Sequence, residues 1–143
     1  MKQNKVFDTV IVETAADAAA LFHAALPKEQ KEERVFVLPL DGNGKALAKP
    51  ILVSVGHKDG TATIAAGAIF REALKAGAEE IIVAHNHPSG DLTPSKADIA
   101  ATTKLREAAD LLCVPLIDHI ILGRGGAFRS LAEPSGDMTD GME

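Results

Sequence analysis

The run His85-Asn86-His87-Pro88-Ser89-Gly90-Asp91-Leu92-Thr93-Pro94-Ser95-Lys96-Ala97-Asp98 concentrates the residue types able to do chemistry. Two histidines two apart at the end of a strand project to one face, so both imidazoles reach a single ion. Asp98, in the first turn of the helix that follows, brings a carboxylate back over that strand end. Two imidazoles and a carboxylate make three N/O ligands, and three protein ligands plus a water is the arrangement of a catalytic zinc site. The same donors suit iron, manganese or nickel, so they favour zinc without singling it out. Ser95 and Asp98 also have the spacing of a capping box, and Thr93-Pro94 that of an N-cap followed by proline at the first helical position. Metal site and helix start are both open readings of the same residues.

The surrounding pattern supplies the elements that position them. Residues 6–12 are β-branched and short, a first strand. Residues 14–26 form an Ala-rich helix opened by Thr14 with Asp17 three residues on and closed by Pro27. After a solvated charge run over 28–34, a strand covers 35–40, and Asp41-Gly42-Asn43-Gly44 supplies hairpin-turn residues. The return strand spans 46–55, a polar loop 57–63, and a helix 65–76 ends at Gly77. The apolar run 81–84 reads as a strand covered on both faces. It leads through the loop 86–94 into a helix over 95–112 whose stripe Ile99, Thr102, Leu105, Ala109 and Leu112 marks the buried face. Strands over 116–122 and 127–131 complete an α/β sandwich, one mixed sheet started by a hairpin and covered by helices.

The 143 residues suffice for one domain, over 1–132, with a frayed tail of Pro, Ser, Gly and Asp over 133–143. A hydrophobic fraction of 46% with 24% charge excludes a wholly disordered chain. A formal charge of −5 is the wrong sign for a protein held on DNA by phosphate contacts, and 3% aromatics leave no stacking platform for single strands. Direct nucleic-acid binding is therefore not expected. Cys113, the one cysteine, excludes an internal disulfide and a multi-cysteine zinc site and fits a reducing compartment. No apolar run approaches the ~20 residues of a membrane helix, and the start leads into no signal-peptide core. A cytoplasmic location is expected.

The order His85-x-His87, seven residues, Ser95, two residues, Asp98 resembles the JAMM motif of MPN-domain metalloproteases. With Leu116-Ile117-Asp118-His119-Ile120-Ile121-Leu122-Gly123 downstream, the chain is similar to the RadC-type branch from about residue 34 to 123. The resemblance implies a cytidine-deaminase-like α/β sandwich, with His85, His87 and Asp98 as ligands of one Zn2+ per chain. It implies that Ser95 helps stabilise the oxyanion and that Glu33, before Val35-Phe36-Val37-Leu38-Pro39-Leu40-Asp41, is the catalytic carboxylate. Glu32 is the residue a one-place register slip would select instead. The sequence departs from the family at Ala65-Ala66-Gly67-Ala68, where members usually carry His-Pro-Arg-Glu. The helix-hairpin-helix region that often precedes this domain has no counterpart in these residues, so no DNA role is inherited from it.

What the resemblance implies is metal-assisted hydrolysis of an amide or isopeptide bond in a peptide or protein substrate. The rival readings are a metal-binding interaction domain without turnover and a DNA-repair accessory. Asp118 and His119 are candidates to support the site from behind. His23 and His57 have no sequence partner, Cys113 reads as a small buried hydrophobe, and Gly123-Arg124-Gly125-Gly126 reads as a turn.

Overall fold

The computed structural model describes residues 10–56 and 63–132. Part of the expected strand over 6–12, most of the loop over 57–63 with His57, and the tail over 133–143 lie outside the described residues. The element order is α1 (Ala15–Ala25), β1 (Arg34–Leu40), β2 (Ile51–Val55), α2 (Ala66–Lys75), β3 (Glu80–Asn86), α3 (Lys96–Leu112), β4 (Leu116–Leu122) and β5 (Phe128–Ser130).

Local chemistry sets these boundaries. Thr14 accepts from the Asp17 amide while the Asp17 carboxylate accepts from Thr14 N–H, the reciprocal cap expected of α1. The chain leaves α2 through Gly77 at φ +81°, a left-handed position that glycine adopts without a Cβ penalty. The return strand is shorter than the apolar pattern of 46–55 suggests. Ala46 makes an isolated bridge to Leu40, and continuous pairing resumes at Ile51. Pro50 has no amide proton to give a ladder. Of the expected first strand, Ile11 makes a single bridge to Lys45.

The five strands form one mixed sheet in the order β2-β1-β3-β4-β5. Strand β1 is antiparallel to β2 and β3, β3 is parallel to β4, and β5 returns antiparallel to β4. Alternation along the strands feeds two cores. Val35, Val37, Ile81 and Val83 pack beneath α2 and α3 with Ile69, Phe70, Leu105 and Ala109. Phe36, Leu38, Ile82, Ala84, Ile120 and Leu122 pack beneath α1 with Ala18, Ala19 and Phe22. The α/β class is thus as expected, with helices on both faces.

Two burial expectations are corrected. On α3 the buried residues are Asp98, Thr102, Leu105 and Ala109, whereas Ile99 and Leu112 are 56% and 45% exposed. Ile99 sits one residue, about 100°, around the helix from Asp98, so the two cannot share the buried face. Cys113 is exposed, because it ends α3 in the left-handed conformation at φ 58° and passes burial on to Val114 and Leu116. Among the described residues, no helix is long and apolar enough to cross a membrane.

Candidate metal centre

The centre forms where β3 stops and α3 starts. His85 is the penultimate residue of β3 and fully buried, on the α3 side of the sheet with Val83 and Ile81. His87 follows the strand end, where its main chain still donates to Leu122 O at 3.0 Å. Asp98 is brought over both by the turn that starts α3. Its backbone amide donates to Ser95 Oγ at 3.0 Å, and Ser95 N–H donates to its carboxylate at 2.9 Å. The capping box therefore orients the acid at the same time as it starts the helix.

The three side chains converge on one point. His85 Nε2 and His87 Nε2 are 3.2 Å apart, and each lies 3.1 Å from a different oxygen of Asp98. The ring of His87 is aimed from behind, since its Nδ1 lies 2.6 Å from Asp91 O. A carbonyl only accepts, so Nδ1 carries the proton and the Nε2 lone pair faces Asp98 and His85. Asp91 is held in turn by its own turn, accepting from Thr93 N–H at 2.9 Å. Arg124 also donates to Pro88 O at 2.7 Å, tying the loop to the β4–β5 turn. Burial opposes ionisation of Asp98, but the His85 imidazole beside it, the hydrogen bond from Ser95 N–H and the neighbouring His87 hold its carboxyl well below the usual range. Two imidazole nitrogens and an ionised carboxylate around one buried point are donors that fit a divalent ion.

Glu33 lies just before β1 and joins this group. Glu33, His85 and His87 each offer a donor atom within 4.8 Å of the others. Glu33, His87, Ser95 and Asp98 line one groove of about 500 Å³, with Ala97, Ala101 and Lys104 of α3 along its side. Glu32 points elsewhere, 3.6 Å from Arg34 across an open ion pair. Of the two adjacent carboxylates, Glu33 is the one at the site.

Asp118 and His119 part company. A register shift at the start of β4 pairs Ile81 with Leu116 and Ile82 with Asp118, skipping Ile117. That extra residue turns His119 to the α3 side, where strict alternation from Leu116 would have turned it away. His119 is fully buried, with Nε2 3.0 Å from His85 Nδ1 and Nδ1 2.6 Å from Thr102 Oγ. Burial, and then the neighbouring His85 ring, push its pKa down to about 3, against an opposing pull from Asp98. Asp118 faces the other way and accepts from Ser130 Oγ at 2.7 Å and from Ala132 N–H at 3.1 Å, anchoring β5. Asp118 also accepts from the main-chain N–H of His119 at 2.7 Å, so it touches the backbone of that residue from the opposite face of the sheet. His23 also has a partner, with Nε2 3.0 Å from Ala127 O.

Two contributors carry no signal of their own in the sequence. Thr102 reads there as one member of an apolar stripe. Asn86 sits between the two histidines and, facing the opposite side, accepts from Arg34 N–H at 2.7 Å and donates to Glu32 O at 3.2 Å. Its location inside the motif was the available signal.

A family model described as the RadC-like JAB domain matches residues 12–136. The UPF0758 protein of Thermosynechococcus vestitus is 40% identical over 132 residues, covering 92% of this chain and 51% of that protein. The UPF0758 protein of Carboxydothermus hydrogenoformans is 44% identical over 104 residues, 73% of this chain and 45% of that one. The UPF0758 protein of Actinobacillus pleuropneumoniae serotype 5b is 42% identical over 111 residues, 78% of this chain and 49% of that one. The chain spans about half the length of the curated relatives it matches. With a match over most of its length and relatives above 40% identity at this coverage, the chain belongs to the RadC-like JAB domain family.

Proposed function

We propose that this domain is a zinc-dependent hydrolase of the JAMM type that cleaves an amide or isopeptide bond in a peptide or protein substrate. The observation that carries the reading is the convergence of Glu33, His87, Ser95 and Asp98 on one groove, with His85 beneath it. His85, His87 and Asp98 would hold the ion. Zinc so held lowers the pKa of a coordinated water to roughly 7 and polarises a carbonyl as a Lewis acid.

The remaining work falls to the chain's own side chains. Glu33 takes a proton from the attacking water as its oxygen adds to the carbonyl carbon, then delivers that proton to the departing nitrogen as the C–N bond breaks. Ser95 would steady the developing oxyanion. Its oxygen already accepts from the Asp98 amide, which uses a lone pair and leaves the hydroxyl proton to be donated into the groove. Capping and oxyanion stabilisation are compatible roles for one hydroxyl.

The test is metal analysis of the purified chain together with hydrolysis of peptide and isopeptide libraries. One zinc per chain and turnover that depends on Glu33 support the proposal. Bound zinc with no Glu33-dependent turnover would instead make the domain a metal-binding interaction module.

A further inference from the structure

A hydrogen-bonded relay runs behind the metal centre and returns to the residue it started from. Asp98 Oδ1 lies 3.1 Å from His85 Nε2, and His85 Nδ1 lies 3.0 Å from His119 Nε2. His119 Nδ1 lies 2.6 Å from Thr102 Oγ, which donates to the main-chain oxygen of Asp98 at 3.0 Å. His85 and His119 are fully buried and Thr102 is 9% exposed, so water does not substitute for these partners.

Proton counting gives the relay a direction. Thr102 has one hydroxyl proton, and the Asp98 carbonyl can only accept it. Thr102 Oγ therefore accepts from His119, which fixes the proton of His119 on Nδ1. The Nε2 of neutral His119 is then an acceptor facing His85, so His85 Nδ1 is the donor and His85 Nε2 presents a lone pair. That lone pair is aimed where His87 Nε2 and Asp98 converge.

We propose that Thr102 and His119 are positioning residues that fix the tautomer of His85, setting its Nε2 as a metal donor before any ion arrives. The inference rests on the metal site of the preceding section and deepens it. His87 is set by a main-chain carbonyl, a partner that cannot change its polarity. His85 is set by a side-chain relay whose polarity is decided by one threonine hydroxyl. The same helical turn supplies both Asp98 and Thr102, four residues apart on one face of α3. Bound carboxylate and relay terminus therefore move together.

The experiment pairs long-range 15N–1H spectra of the histidine rings with zinc affinity measured by competition against a chelating dye, for the wild type, Thr102→Val and Thr102→Ser. The wild type is expected to show His119 protonated on Nδ1, with or without zinc. Thr102→Val removes the acceptor, and its zinc affinity is expected to fall about 10–100-fold, the usual effect of losing a partner behind a ligand. Thr102→Ser restores the hydroxyl and is expected to regain wild-type affinity. A wild-type His119 protonated on Nε2 would overturn the inference. So would a folded Thr102→Val protein that binds zinc as tightly as the wild type. A wild type that binds no zinc, with His119 still protonated on Nδ1, would overturn the metal reading and, with it, the role assigned to Thr102.

Discussion

Asn86 brackets Glu33. Its side-chain amide bonds the peptide groups on either side of that residue, accepting from Arg34 N–H at 2.7 Å and donating to Glu32 O at 3.2 Å. A second donation, to Gln30 Oε1 at 3.1 Å, extends the bracket down the segment. From the other edge, Gly56 N–H donates to Glu33 O at 2.8 Å. The residue between the two histidines thus fixes the backbone that carries the third member of the groove.

Replacing Asn86 tests that bracket. Asn86→Ala leaves the Arg34 amide and the Glu32 carbonyl without their partner in a part-buried place, a loss of about 1–3 kcal/mol of stability. Denaturant unfolding is expected to show that loss with zinc content unchanged, since Asn86 faces away from the ligands. A variant as stable as the wild type would remove Asn86 from the account.

The ligand set is tested by metal content. The wild type is expected to carry about one zinc per chain, and His85→Ala, His87→Ala and Asp98→Ala are each expected to lose it, because two remaining donors do not hold a tetrahedral ion. Full metal in all three variants would sink the assignment.

Ser95→Ala separates the two roles of one hydroxyl. As a cap, Ser95 is worth about 0.5–2 kcal/mol of stability. As an oxyanion donor, its loss costs on the order of 2.7–4 kcal/mol of barrier, about 10²–10³ in turnover. Both losses are expected, with zinc retained. Lost stability with unchanged turnover would leave Ser95 as a cap alone.

Much of the centre is legible in the sequence because its geometry is local. His85 and His87 share a strand end, and Asp98 is tied to Ser95 by a helix-start rule that operates within four residues. The elements were legible for the same reason, through caps and alternation. What is not legible depends on partners remote in sequence or on register. Asn86 meets residues 30–34 only once β1 pairs with β3. His119 reaches His85 only because β4 skips Ile117, which no local pattern announces, and the same skip leaves Asp118 on the far face. Cys113 reads as buried from its apolar neighbours, yet the left-handed turn that ends α3 places it outside.

The buried relay also sets a pH dependence. In metal-free protein, His119 titrates near 3 when folded, against 6.5 for the free side chain. Between those values the unfolded chain binds a proton that the folded chain refuses. Stability contributed by this group is therefore complete above about pH 6.5 and falls as pH is lowered, by up to about 1.4 kcal/mol per pH unit. Below the ordinary Asp value of 3.8, Asp98 adds a loss of the same sign, because its folded carboxyl titrates lower than its unfolded one. Urea unfolding between pH 4.5 and 7 is expected to show the slope in the wild type and a shallower one in His119→Gln. Equal slopes in the two proteins would contradict the burial of a neutral His119.

The most direct test of the central claim compares two adjacent carboxylates. Glu33 lines the groove, whereas Glu32, which does not line it, pairs with Arg34 at 3.6 Å. With turnover and zinc measured on the same preparations, Glu33→Gln is expected to keep fold and metal while hydrolysis falls by about 10²–10⁴, and Glu32→Gln to stay near wild type. A Glu33→Gln protein that hydrolyses as fast as the wild type, or equal losses in both variants, would contradict the claim that Glu33 carries the proton.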